Sequence, residues 1–229
     1  MNWKIGRTGK RHLALLISLL ILFIIAPFVL SLRFGVVILN IVGVAVLLSG
    51  SYAVSASKRL FIVTGVLALA SITINWLVLA FPEPSLIMVG HVCLLVLLLL
   101  FSISILANVL RGGKVTADKI YGAICVYLLI GYGWAFGYAL IEEISPNSFS
   151  GPVATAPFDY LTLVMQLRYF SFVTLTTAGY GDVVPVSAVA RTFAMLEAVT
   201  GQMYTTILIA RLVGLHIADA NSSRPSTES

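Results

Sequence analysis

The sequence predicts an all-α membrane protein with six transmembrane helices and a shorter helix that enters the membrane between the fifth and the sixth. The first observation behind this prediction is composition: 59% of the 229 residues are hydrophobic and 10% are charged, whereas a soluble domain carries about 25% charged residues. The second is that six apolar runs are long enough to cross a bilayer. The third is a shorter apolar stretch, beginning near Asp159, that leads into a segment rich in threonine and glycine.

The six apolar runs fall into two groups. They cover residues 13–32, 34–55, 60–81, 86–110, 120–141 and 188–214. The first run follows a basic N-terminus, but it is longer than the apolar part of a signal peptide and no small-residue cleavage site closes it. We therefore expect it to remain as a membrane helix. A basic linker, residues 111–119, separates the first four runs from the last two.

The basic residues predict the orientation. All Lys and Arg residues except Arg33, Arg168 and Arg191 fall on the same side of the membrane as the N-terminus. Because positive residues are enriched in cytoplasmic loops, both termini are expected to be cytoplasmic and the protein to lie in the cell membrane. The net charge of +5 does not indicate a nucleic-acid partner, since the charges lie in short clusters between apolar runs. Membrane lipids are the expected surroundings.

The segment at residues 174–182 is the most informative part of the chain. It reads Thr-Leu-Thr-Thr-Ala-Gly-Tyr-Gly-Asp and follows the shorter apolar helix. Glycine tolerates positive φ, so such a stretch can point successive backbone carbonyls toward one axis. Rings of carbonyls replace the water shell of a dehydrated potassium ion in selective pores. The C-terminal end of a helix aimed at the bilayer centre also favours a cation there.

This segment and its flanks resemble the pore domain of the tetrameric potassium channels. The family signature Thr-x-Gly-Tyr-Gly-Asp occurs here as residues 177–182, and Thr174, Thr176 and Pro185 also match. The resemblance covers residues 120–214, under half of the chain, and the last helix is similar to that of small prokaryotic members. It implies an outer helix, a re-entrant pore helix, a selectivity filter and an inner helix, with four copies of the chain forming a homotetramer.

The resemblance also implies roles for individual residues. Potassium would be the permeant ion, with no cofactor, coordinated by filter carbonyls and one threonine hydroxyl. The filter residues are Thr177, Ala178, Gly179, Tyr180 and Gly181. The residues expected to support the filter are Thr176, Asp182, Tyr169, Phe170 and Glu197, with the Tyr180 ring packed against Tyr169 and Phe170. Gly201 stands where the family has a gating hinge. Helical spacing from Gly201 places Gln202, Thr205, Ile209 and Val213 along the cavity.

Three residues in the predicted pore region either depart from the family pattern or carry an ionisable group. Position 178 is usually a branched apolar residue in the family and is alanine here, which leaves a softer, inactivation-prone filter or a non-selective cation channel as alternatives. Glu197 lies one turn before Gly201 and is expected to be a protonated or hydrogen-bonded carboxyl behind the pore helix. Arg168 falls on the pore helix, where an unpaired charge is costly. It is expected to reach the outer surface or to pair with a carboxylate; the candidates are Asp159, Glu142 and Glu143.

The expected organisation has five parts. These are a basic cytoplasmic N-terminus at 1–12, a four-helix membrane domain at 13–110, the basic linker at 111–119, the pore domain at 120–214 and a short disordered cytoplasmic tail at 215–229. The four-helix domain does not resemble a voltage sensor, because the helix at 86–110 carries no Lys or Arg and residues 1–82 contain no acid. His91, in that helix, is expected to form hydrogen bonds between helices.

Two other interpretations stay open. A pore subunit of a potassium-uptake transporter is one, although such subunits usually carry four pore loops in one chain. A membrane enzyme or scaffold fused to a pore is the other, and the lack of a catalytic constellation argues against an enzyme. A second Gly-Tyr-Gly tripeptide, residues 131–133, lacks the flanking threonines and aspartate, so it indicates helix packing rather than a second filter.

Overall fold

Within the part that is described, the chain forms a bundle of seven helices and one antiparallel pair of two-residue strands. A computed structural model describes residues 11–29, 32, 34–54, 58–111, 116–151 and 160–222. The helices are α1 (Arg11–Val29), α2 (Gly35–Ala53), α3 (Lys58–Ala80), α4 (Pro84–Leu110), α5 (Ala117–Ile144), α6 (Tyr160–Leu175) and α7 (Ala188–Ser222). The strands are β1 (Phe149–Ser150) and β2 (Val184–Pro185).

Six of these helices, all but α6, are long and apolar enough to span a bilayer. Their bounds differ from the predicted runs by a few residues at most ends. The shorter α6 lies between the fifth and sixth spans, as the sequence indicates. The predicted all-α membrane architecture is confirmed at this level.

The first four helices pack around one side of α5. Helices α1 and α4 both contact α5, and α2 and α3 complete the layer by packing on their neighbours. The shared core contains Leu19, Leu97, Phe101 and Leu129, all fully or almost fully buried. Many other apolar side chains, such as Leu69, are exposed on the outside of the bundle. Lipid is the solvent that suits such a surface.

Two histidine–carboxylate contacts join α5 to this four-helix unit, one near each end of α5. At the start of α5, the Asp118 carboxylate accepts a hydrogen bond from the His12 backbone N–H (3.1 Å), and its second oxygen lies 2.8 Å from His12 Nδ1. Near the end of α5, Glu143 Oε1 lies 2.8 Å from Nδ1 of His91 on α4. His91 is fully buried, and its contact joins α4 to α5; the hydrogen bonding expected of it from the sequence stays a prediction.

The C-terminal end of the last helix departs from the prediction. Helix α7 continues to Ser222, whereas a disordered tail was expected from residue 215. Residues 215–222 contain no proline, and the first proline beyond the helix is Pro225; alanine, leucine and isoleucine in this stretch allow the helix to continue. The expected N-terminal part lies almost wholly outside the described residues, as do 112–115 of the linker and the tail beyond Ser222.

The contact between α2 and α4 generates a stability prediction. A Cβ atom added at Gly50 would overlap the ring of Phe101, which is fully buried and has no room to move. Gly50→Ala should therefore destabilise the bundle by about 1–3 kcal/mol through overpacking. Gly43→Ala, in the same helix, meets nothing within 4 Å and is the matched control. Thermal unfolding of both variants in detergent measures the difference, and equal melting temperatures would contradict this account of the α2–α4 contact.

Candidate functional site

The candidate site is the turn of backbone that leaves the C-terminal end of α6. Three amide groups after the helix point back into its last turn: the N–H of Thr177 donates to the Thr174 carbonyl (2.9 Å), and those of Ala178 and Gly179 donate to the Val173 carbonyl (2.9 and 3.4 Å). These bonds satisfy the donors of the turn. Among the described residues, none donates a hydrogen bond to the carbonyl oxygens of residues 177–181, so these acceptors are left for another partner.

The backbone of this turn alternates in conformation. Thr177, Gly179 and Gly181 have positive φ angles of 58°, 55° and 80°, and the intervening Ala178 and Tyr180 do not. Alternation of this kind turns successive carbonyls toward one side of the strand. Thr177 is β-branched, so a positive φ there is strained, and the hydrogen bonds to α6 hold it in place.

The whole segment is exposed in the single chain. Residues 176–182 are all exposed, and the Tyr180 side chain is 72% accessible. Although Thr176 is exposed, its hydroxyl donates a hydrogen bond to the Phe172 carbonyl of α6 at 2.7 Å. A run of seven exposed residues that includes a tyrosine and an alanine, in a membrane protein, indicates a surface that faces either other chains or water.

The C-terminal end of the segment is held by a tyrosine–aspartate pair. Tyr169 of α6 donates a hydrogen bond to the Asp182 carboxylate at 2.8 Å, and the other oxygen of Asp182 accepts from the Val183 N–H at 3.1 Å. The Tyr169 ring also stacks on Tyr180, with centroids 6.5 Å apart and planes 19° apart. Asp182 thus bonds behind the turn, at the position the resemblance implies.

Phe170 does not pack against Tyr180, and in this respect the sequence-based expectation is wrong. Its ring lies 5.1 Å from Tyr138 and 5.3 Å from Phe149, in a buried cluster on the other side of α6. Adjacent residues of a helix are about 100° apart. Tyr169 and Phe170 therefore point in different directions, and Tyr169 is the one whose ring stacks on Tyr180.

A two-stranded pairing fixes the loop before α6 to the segment after the turn. Phe149 pairs with Pro185 and Ser150 with Val184 in antiparallel register. The Glu142 carboxylate accepts hydrogen bonds from three successive amides at the start of this loop, those of residues 147–149, at 2.7–3.2 Å. The sequence does not predict this pairing, because each strand has two residues and therefore no alternating pattern.

Glu197 is fully buried and joins three helices behind the turn. Tyr138 of α5 donates a hydrogen bond to Oε2 of Glu197 at 2.6 Å, and Oε1 lies 2.5 Å from the Ser171 hydroxyl of α6. The Ser171 oxygen is also 2.8 Å from the Gly131 carbonyl. A hydroxyl has one proton, so both Ser171 contacts are hydrogen bonds only when the Glu197 carboxyl carries a proton and donates it. The sequence indicated Glu197 but not Ser171 or Tyr138.

Gly201 lies where α7 approaches the end of α6 most closely. An added Cβ atom would collide with the backbone carbonyl of Leu175, the last residue of α6. Helix α7 continues through Gly201 without a break, so this close approach gives the glycine a packing role. The hinge role implied by the resemblance stays a prediction.

The inner face of α7 begins with a contact to the turn itself. The Gln202 amide donates a hydrogen bond to the Thr177 hydroxyl at 3.1 Å. Thr205, Ile209 and Val213 follow along α7 with exposed side chains, and the Thr205 hydroxyl donates to the Gly201 carbonyl at 3.0 Å. The opposite face of α7 packs on α5, where Tyr204 donates to the Ala123 carbonyl at 2.6 Å.

Arg168 lies on α6. The structure describes two of its three predicted acidic partners, and both of them make other contacts. Glu142 binds backbone amides and Glu143 contacts His91, while Asp159 lies outside the described residues. The Arg168 guanidinium instead sits over two aromatic rings, 5.8 Å from the centroid of Phe23 and 5.9 Å from that of Tyr132. The described residues include no group of three or more His, Cys, Asp or Glu side chains that could hold a metal ion.

Comparison with known proteins points to the same region of the chain. Residues 156–216 match a family described as ion channel; this stretch contains α6, the turn and most of α7. The chain is 29% identical over 100 residues to Protein LctB of Bacillus caldotenax, covering 44% of this chain and 74% of that protein. It is 27% identical over 107 residues to Protein LctB of Geobacillus stearothermophilus, covering 47% and 79%. No solved structure matches.

The family match and the six apolar helices together support one coarse conclusion. The chain is a multi-pass membrane protein that carries an ion channel domain in its C-terminal part.

Proposed function

We propose that this protein is a potassium-selective channel subunit that conducts ions passively through a pore formed by four copies of the chain. The observation that carries this proposal is the turn at residues 177–181, whose carbonyl oxygens accept no hydrogen bond from the described residues. Unpaired carbonyls at membrane depth are costly unless a cation or water takes the place of a donor. A dehydrated potassium ion is a partner that rings of such oxygens coordinate.

The exposure of the turn supports a symmetric assembly. One chain supplies one strand of carbonyls, which covers only one side of an ion. Four strands around an axis would enclose the ion, and closed rotational symmetry is the usual form of such assemblies. The exposed inner residues Gln202, Thr205, Ile209 and Val213 would then line the cavity below, and the Thr177 hydroxyl, held by Gln202, would lie at the base of the filter.

Electrostatics favours a cation at the same place. Helix α6 ends at Leu175, immediately before the turn, so the negative end of its dipole lies at the filter. Asp182 adds a carboxylate at the other end of the turn. With both termini cytoplasmic, as the basic residues predict, Asp182 would lie at the outer mouth and concentrate cations there.

A non-selective cation channel is the second candidate, and Ala178 is the observation that favours it. Alanine fills less space behind the filter than the branched residue usual in the family, so the ring of carbonyls would be held less firmly. The oxygens that line the pore are still backbone atoms, which is why we place potassium selectivity first.

The primary test is ion selectivity in a reconstituted membrane. Purified protein in liposomes under a tenfold potassium gradient should show single-channel currents that reverse near the potassium potential, about 59 mV. Replacing potassium by sodium on one side should leave the reversal potential tracking potassium. Comparable sodium permeability would replace the proposal by the non-selective channel, and an absence of current at any voltage would reject both.

The repeated Gly-Tyr-Gly tripeptide offers a matched control for the filter. Gly179→Ala should abolish selective current, because φ is +55° at this position and an L-residue is strained there. Gly133→Ala makes the same change in the other copy, where the new methyl group meets only Leu95 at 3.9 Å. The control should conduct like the unmodified protein. Equal loss of current in both variants would show that the effect is not specific to the filter.

The Glu197 cluster gives a further prediction about filter support. Glu197→Gln preserves one donor toward Ser171 and one acceptor for Tyr138, so the protein should fold and conduct with a smaller response to outer pH. Glu197→Ala leaves the fully buried Tyr138 hydroxyl without its acceptor and should cost about 1–3 kcal/mol. Thermal unfolding and current at several pH values measure the two effects. Identical pH titrations of unmodified protein and Glu197→Gln would refute a role for titration of this carboxyl in the pH response.

A further inference from the structure

A cavity lies between the four-helix unit and the pore helix α6. Its volume is about 390 Å³, and side chains from all of α1 to α6 line it. The walls are almost entirely apolar. The lining includes Leu19 of α1, Leu39 of α2, Trp76 of α3, Leu94 of α4 and Val164 of α6. A cavity of this size and character suits an acyl chain or another apolar body.

The polar groups in this cavity gather around Arg168. The guanidinium of Arg168 lines the cavity and lies over the Tyr132 ring. Tyr132 also lines the cavity, and its buried hydroxyl interacts with the Arg168 guanidinium. Arginine only donates hydrogen bonds, so the hydroxyl proton of Tyr132 has no acceptor in the described part of the chain. The carboxamides of Asn40 and Asn75 are the other polar groups of the lining.

The charge of Arg168 has no acidic counterpart in the described ranges. The nearest candidates on α5 are occupied, since Glu142 caps backbone amides and Glu143 contacts His91. The only ion pairs among the described residues are those of His12 and His91. A guanidinium in an apolar wall within the membrane calls for an anion, and phosphate oxygens match its planar array of donors.

We propose that this cavity binds one anionic phospholipid, with its phosphate on Arg168 and the Tyr132 hydroxyl and an acyl chain along the apolar walls. The cavity lies toward the α3–α4 turn, where Pro82 lines it. The basic residues place this turn on the outer side, so the lipid would come from the outer leaflet. The bound lipid contacts helices of the four-helix unit and the helix that carries the filter, and so links the two units of the chain.

Tryptophan fluorescence provides a direct test of binding. The chain has three tryptophans, and Trp76 lines the cavity. Replacing Trp3 and Trp134 by phenylalanine leaves Trp76 as the reporter in the full-length protein. The protein is then placed in phosphatidylcholine vesicles in which one tenth of the lipid is either brominated phosphatidylglycerol or brominated phosphatidylcholine. The charged lipid should quench Trp76 with about tenfold higher apparent affinity, the effect of one charge-assisted contact.

Variants at the anion site separate a specific site from general lipid contact. Arg168→Gln should reduce the preference for phosphatidylglycerol to about one, Arg168→Lys should keep part of it, and Tyr132→Phe should reduce it severalfold while leaving the ring in place. Arg59→Gln, which removes an exposed cation at the start of α3, should keep the full preference. Because the readout is quenching, the outcome is independent of whether the protein conducts potassium.

Three results would overturn the proposal. One is equal quenching by the two brominated lipids in the protein that keeps Trp76 alone and has no change at Arg168 or Tyr132. Another is a full preference for phosphatidylglycerol in Tyr132→Phe and in whichever Arg168 variants fold. The third is that millimolar inorganic phosphate relieves the quenching as effectively as unbrominated phosphatidylglycerol does. The site would then bind free phosphate rather than a lipid.

Discussion

A row of backbone carbonyls without intramolecular donors is the constraint on which the rest of the pore region depends. The amides of Thr177, Ala178 and Gly179 turn back to α6, and the alternating positive φ angles leave the oxygens on the other side. Such a conformation is not stable by itself, because it leaves acceptors unsatisfied and holds a threonine at positive φ. The surrounding packing must therefore impose it.

The packing does so from three directions. Asp182 and Tyr169 hold the C-terminal end of the turn at 2.8 Å, and the pairing of β1 with β2 fixes the segment that follows. Behind the turn, Glu197 joins α5, α6 and α7 through two short contacts. Gly201 lets α7 approach the end of α6, which no larger residue allows. Each contact restrains a different part of one short segment.

The four-helix unit is joined to this region through α5 and α6. Histidine–carboxylate contacts lie near both ends of α5, and Phe23 of α1 packs edge-to-face on Phe172 of α6 at 4.9 Å. The unit therefore touches both α5 and α6. In this arrangement short paths of packed side chains connect α1 and α4 to the turn that follows α6.

The sequence alone determined the number and order of the membrane helices, since runs of about 20 apolar residues have few alternatives in a bilayer. It also singled out residues 177–182 as the candidate site, because they form a long and specific motif. Only the tertiary structure decided which side chains support that segment. Tyr169 and Phe170 are both aromatic, yet their directions about 100° apart on α6 give them different partners, Tyr180 for the first and Tyr138 for the second. The partners of Glu197 and Arg168 depend on how α1, α5, α6 and α7 are oriented about their own axes. Nearly uniform apolar helices carry little information about that orientation, because the hydrophobic pattern does not distinguish a protein-facing side from a lipid-facing side.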